Sequence, residues 1–304
     1  MQKIVPCLWY DGDGETAARR YAALIPGSEV GTLTHYPDSG QELHGQKPRS
    51  VMTVSVRLGD TSVMMLNGGP AFKFTPAASL FVTLEDRAAV DRLWEGLADG
   101  GKVMMPLDRY DWSERYGWVA DRWGLNWQVA LGRHADVGRT VTPSLLFGGA
   151  AAGQAQAAID HYVSAFGATV DGVHRRDGSD KDPAGSIMHA QIRIDGQALM
   201  AMDSVEADFA FNEAVSLMVN CEDQAEIDRL WTALSAVPAS EACGWVKDRF
   251  GVSWQIVPRA LWGMMASGDA PARERMFAAV WSMKKLDLAA IERAFAGATE
   301  PAHS

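Results

Sequence analysis

The chain has 304 residues, 47% of them apolar, and carries 28 Lys and Arg against 38 Asp and Glu for a formal net charge of −10. That length suits two domains of ordinary size, the acidic balance argues against nucleic acid, and no apolar run approaches the roughly 18 residues of a membrane-spanning helix. Three cysteines, Cys7, Cys221 and Cys243, are an odd and sparse set that fits free thiols in a reducing compartment better than a disulfide framework; with no signal-peptide pattern, the expected location is the cytoplasm.

In chain order, Ile4–Tyr10 reads as a short buried strand and Asp11–Gly14 as a turn. Ala17, Tyr21 and Leu24 then recur at helical spacing until Pro26-Gly27. Glu29–Tyr36 is a predicted strand, and the polar stretch Pro37–Pro48 a loop. Ser50–Leu58 alternates with period two, and Gly59-Asp60 turns it into Ser62–Leu66. A second β-α-β-β-β unit follows Asn67–Phe74, with Val90, Leu93, Trp94 and Leu97 on one helical face. The same order recurs from Thr142, with Ile227, Leu230, Trp231 and Leu234 on the matching helix. In the tail, Met276, Ala279, Val280 and Met283 form an apolar stripe, and Asp287 can cap a last helix carrying Leu288, Ile291 and Phe295. Glu300–Ser304 is expected to fray.

The chain is an internal duplication. Tyr116–Ala130 and Cys243–Val257 share seven identities at one offset: Gly117/Gly244, Trp118/Trp245, Asp121/Asp248, Arg122/Arg249, Gly124/Gly251, Trp127/Trp254 and Gln128/Gln255. Ser79-Leu-Phe-Val82 answers Ser216-Leu-Met-Val219, and Asp91–Trp94 answers Asp228–Trp231. A period of about 130 residues means homologous domains rather than stacked small repeats. The first is placed at residues 1–132, the second at 139–260, and a helical extension at 261–304. With a linker this short, the units can pair within each domain. Alternatively, the first unit of one can pair with the second unit of the other, giving an intramolecular pseudo-dimer. A homodimer is also open.

Four β-α-β-β-β units, Pro6–Gly12, Ser50–Val54, Leu66–Pro70 with Phe72–Phe74, Phe211–Ala214 and Cys243–Pro258 together resemble the vicinal oxygen chelate superfamily of glyoxalases, bleomycin-resistance proteins and extradiol dioxygenases. The closest likeness is to PhnB-like proteins, also called 3-demethylubiquinone methyltransferase-like. The resemblance implies an α+β fold of two tandem domains, each with a curved mixed sheet forming a cup. In the superfamily's enzymes a divalent metal sits in that cup on His and Glu. The matching slots here hold Cys7, Ser79 and Gln128, and Ser144, Ser216 and Gln255, a poor set for a metal, so none is expected. No G-x-G-x-x-G or P-loop is present, so no nucleotide or S-adenosylmethionine cofactor is expected either.

Two functional readings stay open: an enzyme acting on a small metabolite in a metal-free cup, and a protein that binds such a molecule without reacting; a metal-dependent glyoxalase-type enzyme is a further alternative. The favoured site is the second copy's cup, with Phe211, Ser216, Trp245 and Gln255 as ligand contacts and Cys243 and Glu213 as candidate catalytic groups. A thiol and a carboxylate in motif positions are what a catalytic site needs. The blander reading of Cys243 is a small residue closing a loop. The first copy's cup, with Trp9, Asn67, Phe72, Phe74, Ser79 and Gln128, comes second. Strand alternation puts Gln128 and Trp127, and Gln255 and Trp254, on opposite faces, and the resemblance implies that the Gln residues face the cups and the Trp residues the helices.

Overall fold

A computed structural model describes residues 2–179, 181–267 and 269–298; the expected fraying of Glu300–Ser304 lies outside them. The first unit runs β1 (Ile4–Tyr10), α1 (Gly14–Leu24), β2 (Glu29–His35), a short α2 (Gln41–His44), β3 (Val51–Leu58) and β4 (Thr61–Asn67). The second runs β5 (Ala78–Leu84), α3 (Arg87–Ala98), β6 (Lys102–Tyr110), β7 (Ser113–Ala120) and β8 (Asn126–Leu131). A turn of helix, α4 (His134–Val137), leads into β9 (Val141–Phe147), α5 (Ala155–Phe166), β10 (Thr169–Arg175), β11 (Ile187–Ile194) and β12 (Gln197–Asp203). The fourth unit is β13 (Val215–Cys221), α6 (Gln224–Leu234), β14 (Trp245–Lys247) and β15 (Ser253–Pro258), and the tail forms α7 (Ala260–Ala266), α8 (Ala270–Ser282) and α9 (Leu288–Ala296).

The fourth unit departs from the predicted pattern: it has no counterpart of β6. The offset between copies falls from 137 at Trp94/Trp231 to 127 at Gly117/Gly244, so ten residues are gone between helix and motif. The remaining segment holds Pro238 and a single helical turn, Pro238–Ser240, and cannot span a strand.

Strand pairing crosses between the halves. One sheet has the order β14-β15-β13-β1-β4-β3-β2, the other β10-β11-β12-β9-β5-β8-β7-β6. The first therefore joins units one and four, the second units two and three. The joins are antiparallel and equivalent: Cys7 faces Ser216 across β1/β13, and Ser144 faces Ser79 across β9/β5. Within the units β1/β4, β5/β8, β9/β12 and β13/β15 are parallel, so both sheets are mixed.

The helix-side cores follow the opposite rule. One is drawn almost wholly from the first half, with Leu8, Tyr21, Val54, Leu80, Leu93 and Trp127 at its centre. The other belongs to the second half, with Phe147, Ile159, Tyr162, Leu217, Leu230 and Trp254. Each half is thus held by apolar packing behind the sheets, and each sheet by backbone hydrogen bonds between halves.

The repeated Asp of the motif pins this arrangement. Asp121 accepts from the Tyr21 hydroxyl at 2.5 Å, the Trp127 indole at 2.9 Å and the Trp123 and Leu125 amides. Asp248 accepts from the Tyr162 hydroxyl at 2.7 Å, the Trp254 indole at 2.9 Å and the Phe250 and Val252 amides. Tyr21 and Tyr162 come from helices on the neighbouring unit, so each carboxylate ties two units together behind the sheets. The invariant spacing of Asp and Trp in the repeat is therefore structural: six residues bring the indole N–H back to the carboxylate.

Candidate functional site

Alternation along each strand leaves two concave faces. Trp127 and Trp254 are fully buried in the helix-side cores, so Gln128 and Gln255 turn into the cups, as the sequence predicts. In the cup of the first sheet the Gln255 amide donates to Ser216 Oγ at 2.9 Å, with the Cys7 thiol within hydrogen-bonding reach of both. In the cup of the second sheet the Gln128 amide donates to Ser79 Oγ at 2.9 Å, beside Ser144. Each trio takes its members from both halves of the chain. The sequence reading assigned a cup to each copy, and that assignment is corrected here: Ser79 and Gln128 share a cup with Ser144, whereas Trp9 shares one with Trp245.

The first cup is occupied by the tail. Val5, Met218 and Val257 on its floor pack with Leu261, Met276, Val280, Leu286 and Ile291 of the C-terminal helices. The tail is also tied by polar contacts. The Cys243 and Gly244 amides donate to Met283 O and Lys284 O at 2.8 Å each, and Trp262 donates to Asn220 at 2.6 Å. On the other side the β2–β3 loop reaches over. His44 stacks on Tyr36 with centroids 4.6 Å apart and lies 5.0 Å from the ring of Trp281. Gly40, at positive φ, comes so close that a Cβ there would fall 2.6 Å from the Trp281 ring, so the position favours glycine. A cavity of about 450 Å³ remains between β2 and α8, lined among others by Thr34, Asp38, Arg49, Arg273 and Phe277.

This placement recasts the candidate catalytic pair. Cys243 sits at positive φ, packs against the tail, and its thiol lies 3.8 Å from Trp281 O. Burial raises its pKa, and no cation opposes that; a nucleophilic thiol needs the opposite shift. Glu213 forms an ion pair with Lys247 at 2.7 Å. Cys7 is pushed up to about 11 and Cys221 to about 12, both chiefly by burial. At pH 8 a thiol of pKa 11 is ionised in roughly one molecule in a thousand, so native protein is expected to react with an aromatic disulfide reagent at Cys7 and Cys221 at least about a hundredfold slower than unfolded protein. A fast-reacting thiol in a native titration contradicts this.

Three other candidates belong to the framework. Phe211 packs edge-on to Phe147 in the helix-side core, 5.1 Å between centroids, and Phe74 does the same against Tyr10 at 5.2 Å. Asn67 Oδ1 accepts from the Gly14 amide at 2.8 Å and its amide donates to Val51 O, which fixes the start of α1. Its counterpart Asp203 accepts from the Ala155 amide at the start of α5 and from the Ile187 amide. The Asn67–Phe74 stretch serves the Trp9 indole. Trp9 donates to Gly69 O at 2.7 Å, and a Cβ on Gly68 would fall 2.1 Å from its ring. Phe72 and Trp245 flank that indole at 5.0 and 6.1 Å.

The second cup carries features the sequence reading missed. Thr142 Oγ1 and Ser144 Oγ on β9 and Thr83 Oγ1 on β5 are buried with no hydrogen-bond partner, although Thr142 and Ser144 are each only 1% exposed. Buried hydroxyls are normally satisfied. Their signal lay in the alternation of β9, Val141-Thr-Pro-Ser-Leu145, which puts both hydroxyls on one face. Above them Tyr116 donates to Gln128 Oε1 at 2.7 Å, and burial raises its pKa, so it acts as a donor. Tyr110 and Trp112, stacked at 5.0 Å on the β6–β7 hairpin, lie against Tyr116, with Phe81 on its other side at 6.3 Å.

Neither trio suits a divalent metal. Hydroxyls, neutral amides and a thiol of raised pKa supply no anionic ligand. Among the described residues no group of three or more His, Cys, Asp or Glu could hold one. Likewise, no helix among them is long and apolar enough to cross a membrane.

Several solved structures are similar to this chain. A PhnB protein from Bacillus cereus, described as a putative 3-demethylubiquinone-9 3-methyltransferase, is 32% identical over 43% of this chain and all of its own, with a TM-score of 0.40. A Pseudomonas aeruginosa protein is 23% identical over 43% of this chain and 97% of its own, at a TM-score of 0.37. Glyoxalase I from Zea mays covers 85% of this chain and 92% of its own at 12% identity and a TM-score of 0.55, which is a likeness of fold. Among curated proteins none matches. The family model described as 3-demethylubiquinone-9 3-methyltransferase matches twice, over residues 2–130 and 139–257, so the chain belongs to that PhnB-like family, present here as two copies in one polypeptide.

Proposed function

We propose that the protein binds a small molecule in the cup of the second sheet, without a metal and without a covalent step. The observation that carries this reading is the pair of buried, unpartnered hydroxyls of Thr142 and Ser144 beside the Ser79–Gln128 hydrogen bond. A polar floor under an aromatic mouth is the usual make-up of a small-molecule site. The first cup is disfavoured because the tail fills its floor. A binding role is favoured over catalysis because the trio has no titrating acid or base, and the one carboxylate proposed for chemistry, Glu213, is paired with Lys247. The methyltransferase name borne by the family is not carried over: the chain has no glycine-rich S-adenosylmethionine loop.

A thermal-shift screen of metabolites, run in chelator and again with divalent metals, tests this. Hits are expected to raise the melting temperature equally in both conditions. Ser144→Ala and Gln128→Ala should each weaken a hit by about 1–3 kcal/mol, the loss of one buried hydrogen bond, while Gln255→Ala leaves it unchanged. Hits that need a metal, or that follow Gln255 rather than Gln128, sink the reading.

A further inference from the structure

We infer that the ligand of the second cup is uncharged and planar, with a carbonyl or hydroxyl group directed at the hydroxyl floor. This deepens the reading above and rests on it. The four central strands β12, β9, β5 and β8 place no charged residue at any cup-facing position: the alternation there gives Ala, Met, Thr, Ser, Leu, Phe, Asn and Gln. Of the basic groups on the same face of the adjoining strand β11, Arg193 is paired with Asp171 at 2.7 Å, which also accepts from Gln191, and burial lowers the pKa of His189. A carboxylate or phosphate lowered onto this floor would be buried with no counter-charge, which is expensive in any low-dielectric site.

The polar groups present can be counted for donors and acceptors. Gln128 is engaged on both sides, its carbonyl oxygen by the Tyr116 hydroxyl and one amide N–H by Ser79, which leaves its second N–H to give. Ser79 accepts that bond and so keeps its own proton to give. Ser144 and Thr142 are free in both senses. Three hydroxyls that can each donate, side by side on adjacent strands, match one or two neutral acceptor oxygens. The apolar wall is flat and aromatic on the β5 and β7 side, Phe81 and Tyr116 backed by the Tyr110–Trp112 stack, with Leu146, Met200 and Met202 on the other side. Such walls favour a ring over a flexible chain, because rings stack at offset or edge geometry and lose little conformational entropy.

Benzamide and benzoate form a near-isosteric pair that differs in charge, and Trp112 and Trp118 near this cup report binding by fluorescence. Titrated against the full chain in chelator, benzamide is expected to bind saturably and at least about tenfold tighter than benzoate. The double variant Thr142→Val/Ser144→Ala, with an unchanged melting temperature, is expected to weaken benzamide about tenfold or more. Benzoate binding as tightly as benzamide, or benzamide giving no saturable response, overturns the uncharged class while the cup itself can still stand through other hits of the screen. Benzamide binding unaltered in the double variant overturns the cup as well.

Discussion

Asp248→Ala is expected to cost about 3–5 kcal/mol of folding stability, the largest effect of any single polar substitution in this chain. The carboxylate is 1% exposed and accepts four hydrogen bonds. Alanine leaves a tyrosine hydroxyl, an indole N–H and two amides buried without an acceptor, and each orphan costs about 1–3 kcal/mol before relaxation. Asp121→Ala should behave alike in the other half, and urea unfolding by fluorescence measures both. The same site fixes a pH dependence. Burial raises the Asp248 and Asp121 carboxyl pKa values against the opposing pull of their donors. A folded pKa above the unfolded one favours the protonated form, so this contribution is fully present below the unfolded value. It is lost as pH rises through the folded one. Conversion to Asn removes that pH dependence. An Asp248→Ala protein as stable as the parent would mean that the repeated motif holds nothing together.

Met276→Asp is expected to release the tail while the sheets survive. Met276 is fully buried between α8 and the first cup. A carboxylate there has no partner and costs several kcal/mol to bury, more than a helix held by one apolar face and a few hydrogen bonds can return. Truncation to Ala should cost about 2–4 kcal/mol at the same place. In the Asp variant, limited proteolysis is expected to cut within residues 260–298, and Cys243 to become reactive, because its contact with Trp281 is lost. Far-ultraviolet circular dichroism should keep its strand signal. Retained protection of Cys243 and of the tail would show that the helices are held by something other than the floor of the cup.

Much of this architecture is legible in the sequence, and the limits have physical causes. The duplication and the helix stripes of α3 and α6 are local properties of the sequence; strand alternation also sets Gln and Trp on opposite faces, and the family resemblance adds which of those faces is the cup. The caps of α3 and α9 at Asp86 and Asp287 are local as well. Which unit pairs with which is not local. Cys7 with Ser216, and Ser79 with Ser144, are joined across 209 and 65 residues of chain, and both alternatives satisfy the same strand patterns. Likewise the apolar stripe of Met276 and Val280 announces a buried helix but not the surface that buries it. That surface proved to be the cup around Ser216 and Gln255, which is why the favoured site of the sequence reading came out packed rather than open. Phe211 and Phe74 illustrate the same limit at single residues: an aromatic in a loop reads alike whether it lines a cup or plugs a core.

Binding stoichiometry tests the account most directly. A metabolite that raises the melting temperature, titrated calorimetrically into the full chain in chelator, should bind at one equivalent per chain, because the tail packs on the floor of one cup and the proposed site lies in the other. Gln128→Ala should abolish or strongly weaken that heat, and Gln255→Ala should leave it unchanged. Two equivalent sites per chain, or one that disappears with Gln255 and returns only on adding a divalent metal, would contradict it.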